Sequence, residues 1–159
     1  MIRQLGPKDW KRLRDARLRA LADAPYAFAS TLAEERAFAG DVWLERATPH
    51  ASRASFALEA NGRFEGIASC FVADDPRTVH LVGMWVAREA RRAGVGRRLV
   101  EAIVDWSREH GAERVCLCVE AGNDAARRLY ERCGFTRREP APTLPYEPGP
   151  GADVLVLDL

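Results

Sequence analysis

The sequence predicts a mixed α/β fold in which one central β-sheet is packed between helices. Three patterns indicate this class. Asn61 and Gly62 tolerate the positive φ of a two-residue hairpin turn, and they stand between two β-prone runs. The run Thr78–Val86 is almost wholly apolar, as a central strand would be. Segments with helical apolar spacing alternate with further short β-prone runs, as expected for helices that cover a sheet.

The first part of the chain is predicted to be mainly helical. A short strand at Ile2–Leu5 precedes a helix that begins near Pro7 and ends before Pro25. The core-facing residues of this helix recur at helical spacing and are Trp10, Leu13, Ala16 and Ala20. A second helix is expected over part of Thr31–Ala47, and its apolar anchors are Phe38, Val42 and Trp43.

Strands and helices alternate in the rest of the chain. A helix is expected from about Val95 to His110, with Gly111 at its end. Its buried stripe consists of Leu99, Val100, Ile103 and Val104. The remaining predicted elements are a strand at Arg114–Val119, a helix that is capped by Asn123 or Asp124 and closes at Gly134, and strands at Phe135–Arg138 and Val154–Leu159. Residues 139–153 hold five prolines and two glycines, and loops of this length tend to be functional or mobile.

Length and composition indicate one globular domain that covers residues 1–159. The net charge is only +1, whereas a nucleic-acid-binding domain usually carries a large basic excess. No segment approaches the roughly 20 apolar residues of a membrane span. The N-terminus lacks the apolar core of a signal peptide. We therefore expect a cytoplasmic protein with neither nucleic acid nor a membrane as a partner.

The cysteines and histidines favour neither a disulfide nor a metal site. Cys116 and Cys118 are two residues apart on a predicted strand, so both face the same side. That spacing suits packing of reduced thiols. The histidines are His50, His80 and His110, and they share no ligand spacing with one another or with the cysteines. No metal ligands are therefore predicted.

A glycine-rich turn lies between the predicted central strand and the following helix. Gly94 and Gly96 remove side chains where the first N–H groups of a helix have no internal partner. The helix dipole adds partial positive charge at the same place, so the turn is suited to bind phosphate. The basic residues around the glycines are Arg91, Arg92, Arg97 and Arg98.

Two familiar phosphate motifs do not fit this turn. The P-loop pattern GxxxxGK[ST] is absent. The dinucleotide fingerprint GxGxxG lacks its third glycine, because Leu99 stands at that position. A nucleotide or dinucleotide binder is therefore disfavoured.

Two spaced motifs do match a known family. The first is R-x-x-G-x-G at Arg91, Gly94 and Gly96. The second is N-x-x-A-x-x-x-Y followed by G-F, and its residues are Asn123, Ala126, Tyr130, Gly134 and Phe135. Together they resemble the GNAT superfamily of N-acetyltransferases, and the chain is distantly similar to the ribosomal-protein alanine N-acetyltransferases. The stretch RDARLRALADAPYAFASTLAEE resembles the first two helices of bacterial GNAT proteins, so the resemblance spans nearly the whole chain.

The resemblance implies a fold, an activity and a cosubstrate. The implied fold is a mixed, mostly antiparallel sheet of six to seven strands flanked by about four helices. The implied reaction is transfer of an acetyl group from acetyl-CoA to a primary amine, by direct attack in a ternary complex. Carried over, the residues that contact acetyl-CoA are Met84, Trp85, Val86, Arg91, Arg92, Ala93, Gly94, Val95, Gly96, Arg97, Asn123 and Ala126.

Proton transfer has one strong and several weaker candidates. The resemblance places Tyr130 as the acid for the leaving thiolate. Glu120, at the end of the strand before Asn123, is the favoured base for the attacking amine. Weaker candidates for the base are Glu34, Glu35 and His80.

Two features depart from the ribosomal-protein enzymes. Their strand before the Asn reads like LEVR, whereas Leu117–Glu120 reads LCVE here, so Cys118 replaces an acid. The proline-rich loop also looks particular to this chain and could shape specificity. The acceptor amine stays open between a small molecule and a peptide or protein, and a homodimer is one open assembly. A non-catalytic acetyl-CoA sensor is the alternative function.

Overall fold

The computed structural model describes all 159 residues and contains one seven-stranded sheet. The strands are β1 (Ile2–Gln4), β2 (Arg53–Ala60), β3 (Arg63–Val72), β4 (Thr78–Val86), β5 (Arg114–Val119), β6 (Thr136–Arg137) and β7 (Asp153–Asp158). Their order across the sheet is β1-β2-β3-β4-β5-β7-β6. Only the neighbours β4 and β5 run parallel, and every other pair is antiparallel. The sheet is therefore mixed and mostly antiparallel.

The helices cover both faces of this sheet. They are α1 (Trp10–Asp23), α2 (Leu32–Arg36), α3 (Gly40–Ala47), α4 (Val95–Glu109) and α5 (Asp124–Arg132). One buried cluster joins α4 and α5 to the sheet and includes the predicted stripe of α4, in which Leu99 and Ile103 are fully buried. A smaller cluster joins α1 to the other face through Leu13, Ala16 and Ala20. Apolar stripes at helical spacing thus decide which side of each helix meets the sheet.

The predicted fold class is confirmed, with one difference in the helices. The hairpin turns at Asn61 (φ 56°) and Gly62 (φ 77°), as expected for a two-residue turn. The single helix expected within residues 31–47 is instead two, α2 and α3. The break lets α3 fold back so that Arg46 reaches the side chain of Glu35, at 2.8 Å between Nη1 and Oε1. Of the three predicted anchors in this region, only Trp43 is fully buried.

The sheet opens between its two parallel strands. β4 and β5 pair only through Thr78 with Arg114, Val79 with Val115 and His80 with Cys116. Both strands continue beyond these pairs without pairing to each other, β4 to Val86 and β5 to Val119. A register shift between β3 and β4 coincides with Gly83, whose φ of +65° is left-handed. The bulge and the open pairing together create a cleft in the middle of the sheet.

None of the five helices combines the length and the apolar character that a membrane span requires.

Candidate active site

The cleft between β4 and β5 is lined by both strands and by α5. Its volume is about 80 Å³. The wall residues are Ala27, Phe28, Leu81, Val82, Gly83, Met84, Leu117, Cys118, Val119, Glu120, Asn123, Ala126 and Tyr130. The backbone edges that face each other across the opening lack the ladder partner that a closed sheet would give them. Because these backbone groups are free, the cleft can accept an extended ligand arm.

Of the sequence-predicted residues, Met84, Glu120, Asn123, Ala126 and Tyr130 lie in this wall. Asn123 also caps α5, since its Oδ1 accepts from the backbone N–H of Ala126 at 3.3 Å. The choice between Asn123 and Asp124 as the cap is thereby decided for Asn123. Ala126 presents only a methyl group at the start of the helix.

The turn before α4 presents a row of free backbone donors. The N–H groups of residues 92–97 donate no hydrogen bond to any other protein atom, and Gly94 caps α4 without a side-chain bond. Arg92 (φ 69°) and Gly94 (φ 75°) are both left-handed, whereas Ala93 between them is not, and such alternation of backbone hand lets successive N–H groups face one side. Such a turn at a helix N-terminus forms a concave binding site for an anion.

The two glycines of the turn are needed for different reasons. A Cβ at Gly94 would meet no atom within 4 Å, but the positive φ there disfavours any L side chain. A Cβ at Gly96 would lie 2.8 Å from Leu129 Cδ2 on α5. Gly96 therefore lets α4 pack closely on α5. The sequence pattern predicts the approach of a ligand at both glycines and gives no sign of this helix contact.

The arginines of the turn have different partners. Arg91 donates from Nε to the Val86 carbonyl at 2.9 Å and pairs with Asp23 at 2.5 Å, so it fastens the turn to the end of α1. Arg97 pairs with Glu101 one helical turn later, and Arg98 lines a separate groove between α4 and β1. Arg92 and Ala93 are exposed at the tip of the turn.

The last residues of β4 divide between cleft and core. Met84 lines the cleft, whereas the Trp85 side chain is buried on the α1 face and donates from Nε1 to Asp23 at 3.0 Å. Asp23 is thus held by both Trp85 and Arg91. These contacts hold the pKa of Asp23 below its usual value, the Trp85 hydrogen bond above all.

Tyr130 is the titratable group buried in the cleft wall. Its side chain packs edge-on against Phe135, at 5.9 Å between ring centroids, and it is 5% exposed. Its hydroxyl forms no hydrogen bond within the protein. Burial raises the pKa of Tyr130 well above its usual value, so the hydroxyl keeps its proton at neutral pH.

Glu120 and Cys118 lie under the proline-rich loop. A Cβ at Gly149 would collide with the Glu120 carboxylate, so the loop lies directly against it. Burial raises the pKa of the Cys118 thiol to about 11, with smaller contributions from Glu120 and Asp153. The thiolate is the reactive form of cysteine, and Cys118 is therefore poorly suited to act as a nucleophile. No group of three or more possible metal ligands is present.

The sequence also matches a known protein family. The sequence profile of the acetyltransferase (GNAT) family matches residues 15–135. The chain belongs to this family. The matched range runs from α1 to Phe135 and includes both the turn at Gly94 and the Asn123–Tyr130 motif.

Several named GNAT relatives share part of the sequence. The mycothiol acetyltransferase of Thermomonospora curvata is 37% identical over 120 residues, which are 75% of this chain and 38% of that protein. The ribosomal protein bS18-alanine N-acetyltransferase of Escherichia coli K12 is 36% identical over 81 residues, which are 51% of this chain and 53% of that protein. This chain therefore spans about two fifths to one half of the length of these relatives. The predicted similarity to the ribosomal-protein enzymes is confirmed.

Solved structures share the GNAT fold across the whole chain. A GNAT acetyltransferase from Streptococcus pneumoniae superposes with a TM-score of 0.79 at 18% identity and covers 100% of this chain and 99% of that one. The PaiA N-acetyltransferase of Thermoplasma acidophilum, solved in complex with coenzyme A, has a TM-score of 0.76 at 13% identity and covers 100% and 98%. At these identities the likeness establishes the fold.

The weaker candidates for the base lie away from the cleft of this GNAT domain. His80 stacks on Phe71 at 5.3 Å, faces Tyr146 of the proline-rich loop at 6.4 Å and is 4% exposed. Burial lowers the pKa of His80, so its ring is neutral. Glu34 is exposed on α2. Glu35 is fully buried between two arginines, and none of these three side chains lines the cleft.

Sequence reasoning missed a second cavity beside the cleft. It has a volume of about 540 Å³ and lies between α1, α3 and strands β2 to β4. Arg17, Arg46 and Arg53 line it, together with serine hydroxyls and Phe71. In the sequence these arginines resemble ordinary surface residues, because nothing in their spacing relates a residue on α1 to one on α3 and another on β2. Trp43, predicted as an anchor, was the only signal.

Proposed function

We propose that this GNAT domain transfers an acetyl group from acetyl-CoA to a primary amine by direct attack in a ternary complex. The row of free backbone N–H groups at residues 92–97, which follows the strand where the pairing of β4 with β5 opens, is the observation that carries the proposal. The named relatives that match the sequence are acetyltransferases, which supports the same reaction class. We also propose that residues 1–159 act as one domain, since a single sheet joins β1 to β6.

The residues present fit acetyl-CoA. The free N–H groups at Arg92–Arg97 suit a pyrophosphate, because they converge with the positive end of the α4 dipole. The unpaired edge of β4 at Met84–Val86 offers backbone groups to an extended pantetheine arm, and Asn123 and Ala126 form the opposite wall. When bound, acetyl-CoA supplies an acetyl thioester that an amine can attack. Backbone N–H donors near the thioester oxygen would stabilise its developing charge.

In this proposal Tyr130 holds the proton that the leaving group requires. Tyr130 lines the cleft, and its hydroxyl is protonated at neutral pH and has no protein partner that would compete for the proton. A positioned proton donor typically contributes about 10²–10⁴-fold to a rate. Because the cleft has a volume of only about 80 Å³, bound acetyl-CoA would leave little room for water at the reacting atoms.

Glu120 is proposed as the group that takes the proton from the attacking amine. A primary amine is mostly protonated near neutral pH, so a base is required. Glu120 is the only carboxylate in the cleft wall, and the proline-rich loop lies against it. The four cysteines take no covalent part in this scheme, in keeping with the raised pKa values of their thiols.

Release of free thiol from acetyl-CoA tests this proposal. The protein is incubated with acetyl-CoA and a panel of primary amines that includes amino acids, polyamines and a peptide with a free N-terminus. Amine-dependent thiol release, with the acetylated amine identified by mass spectrometry, is the expected result. Tight acetyl-CoA binding by calorimetry without turnover on any amine would instead favour the non-catalytic sensor.

A further inference from the structure

We propose that the second cavity, lined by Arg17, Arg46 and Arg53, binds an anionic group on the acceptor, so that the preferred acceptor is a small amine carrying a carboxylate or phosphate. This inference rests on the proposed acetyltransferase function and adds the substrate class. We call this cavity the arginine cavity below.

The arginine cavity is connected to the cleft between β4 and β5. Val82 and Gly83 line both this cavity and the cleft between β4 and β5. The two spaces therefore meet at the bulge of β4. A molecule held in the arginine cavity can place one end at that junction, where the acetyl group would lie.

The wall of the arginine cavity carries more positive than negative charge. Among the residues that line the arginine cavity are three arginines and no carboxylate. The single Glu35 carboxylate is shared by Arg17 and Arg46, with N–O distances of 2.8 Å to each. Arg53 pairs with Glu45, a side chain that is 68% exposed. Positive charge is thus in excess at the wall, which favours an anion and disfavours a polycationic acceptor.

The guanidinium groups of the arginine cavity have N–H donors that form no hydrogen bond within the protein. Arg17 uses Nε and Nη2 on Glu35, and Arg46 uses Nη1. Arg17 Nη1 has no hydrogen-bond partner and lies 3.5 Å from where a Cβ at Gly83 would be, which is at the junction itself. An anion at the junction that supplies acceptor oxygens would give this donor a partner.

The guanidinium groups of Arg17 and Arg46 are held in fixed positions. The Arg17 guanidinium lies over the Phe28 ring at 4.5 Å, and that of Arg46 lies over Trp43 at 4.9 Å. Burial opposes ionisation of Glu35, but the hydrogen bonds and charges of Arg17 and Arg46 hold its pKa below the usual value. The carboxylate therefore stays ionised and fixes both guanidinium groups. A pre-positioned guanidinium binds a planar oxyanion through paired hydrogen bonds at little entropic cost.

The position of Arg17 also limits the distance between the anionic group and the reactive amine of the acceptor. Because Arg17 Nη1 lies at the junction, the anionic group and the reactive amine are separated by only a few bonds. An amino acid or an aminoalkyl phosphate satisfies this spacing. The apolar part of the wall, including Ile67 and Phe71, would contact the rest of the molecule.

Matched pairs of amines test the inference. The pairs are alanine with ethylamine, phenylalanine with phenethylamine, and phosphoethanolamine with ethanolamine. We expect kcat/KM to be about tenfold or more higher for the anionic member, as charge-assisted hydrogen bonds predict. The first two pairs report a carboxylate and the third a phosphate. Equal or better use of the neutral members would overturn the inference while leaving the acetyltransferase function intact.

The variant Arg53→Gln locates the effect in this cavity. Its partner Glu45 is exposed, so the change leaves no buried charge unpaired. We expect kcat/KM for the anionic amine to fall about tenfold, with the neutral amine and the KM for acetyl-CoA changing less than about twofold. Arg108→Gln removes an equal charge from an exposed site on α4 and should change neither. A loss that is equal for both amines would contradict the assignment.

A second measurement separates this inference from the proposed function. If no amine turns over, the acetyltransferase proposal fails, and calorimetry then measures binding of phenylalanine and phosphoethanolamine directly. Binding that weakens about tenfold in Arg53→Gln supports the arginine cavity as an anion site. Absence of binding, or equal binding to the variant, overturns it.

Discussion

The two spaces that meet at Gly83 are built from different parts of the chain. The cleft and the turn before α4 present mainly backbone groups, above all the free N–H groups of residues 92–97. The arginine cavity presents side chains instead, from α1, α3 and β2. Backbone donors recognise a feature that is common to all ligands of one class, such as a pyrophosphate. Side chains that converge from separate elements can differ between relatives and so can select an individual acceptor.

The largest effect is expected on the arginine-cavity side, where removal of Glu35 should lower the free energy of unfolding of the protein. In Glu35→Ala the guanidinium of Arg17, a 17% exposed side chain, loses its only ionic partner. We expect the free energy of unfolding to fall by about 3–5 kcal/mol, as for other buried pairs that lose one member. Urea denaturation measures it.

Glu34→Ala is the matched control for this change. Glu34 is the adjacent residue on α2 and is exposed, so its loss should cost less than about 1 kcal/mol. Similar losses in both variants would mean that Glu35 does not hold the arginine cavity together.

On the cleft side, Tyr130→Phe should affect the rate and leave the fold intact. The lost hydroxyl has no partner in the protein, so no buried group is left unpaired. We expect kcat to fall by about 100-fold while the KM for acetyl-CoA changes less than about twofold. Steady-state kinetics measures both. Tyr26→Phe, at an exposed tyrosine, is the control, and an unchanged kcat in Tyr130→Phe would remove Tyr130 as the proton donor.

The backbone character of the turn can be tested at Gly94. In Gly94→Val the β-branched side chain disfavours the φ of +75°, so the free N–H groups should lose their arrangement. We expect the Kd for acetyl-CoA to rise about tenfold by calorimetry. Gly62→Val imposes the same kind of strain in the distant hairpin, at φ 77°, and should leave that Kd unchanged. Undiminished affinity in Gly94→Val would contradict the assignment of the turn.

The smallest effect is expected from mild acid. The lowered pKa of Glu35 means that its ion pairs stabilise the fold above the ordinary carboxyl pKa, and that this contribution is lost as pH falls through the lowered value. Stability should therefore change little through Glu35 between about pH 7 and 5.5 and should decline below about pH 4.5. Glu35→Gln should show a shallower decline over the acid range by urea denaturation at stepped pH. An identical slope would mean that Glu35 is not ionised in the fold.

Local sequence patterns anticipated most of the fold. The turn at Asn61–Gly62, the stripe of α4 and a cap at Asn123 or Asp124 depend on neighbouring residues, so a sequence pattern can reveal them. The division of the second helix into α2 and α3 was not predicted. It depends on Glu35 meeting Arg17 and Arg46, which are 18 and 11 residues away in the chain.

The same distinction applies to the candidate site. Two motifs were sufficient to locate the turn at Gly94 and the wall at Asn123 and Tyr130, because each motif lies within a short continuous stretch of the chain. The role of Gly96 in packing against Leu129 was missed, since it is a contact between two helices. The contact of Tyr146 with His80, outside the cleft, was also not predicted, because a proline-rich loop has no periodicity to show where it folds back.

The sequence by itself determined the order of helices and strands except for the division of α2 from α3, and it also determined the hairpin, the glycine turn and, through two motifs, the resemblance to the GNAT family. Each of these is encoded within a few residues along the chain. Only the tertiary structure decided where β4 and β5 separate, which arginines share Glu35, and that the cleft and the arginine cavity meet at Gly83. Those arrangements depend on burial and charge pairing between distant elements, and they exist only once the sheet and helices have packed together.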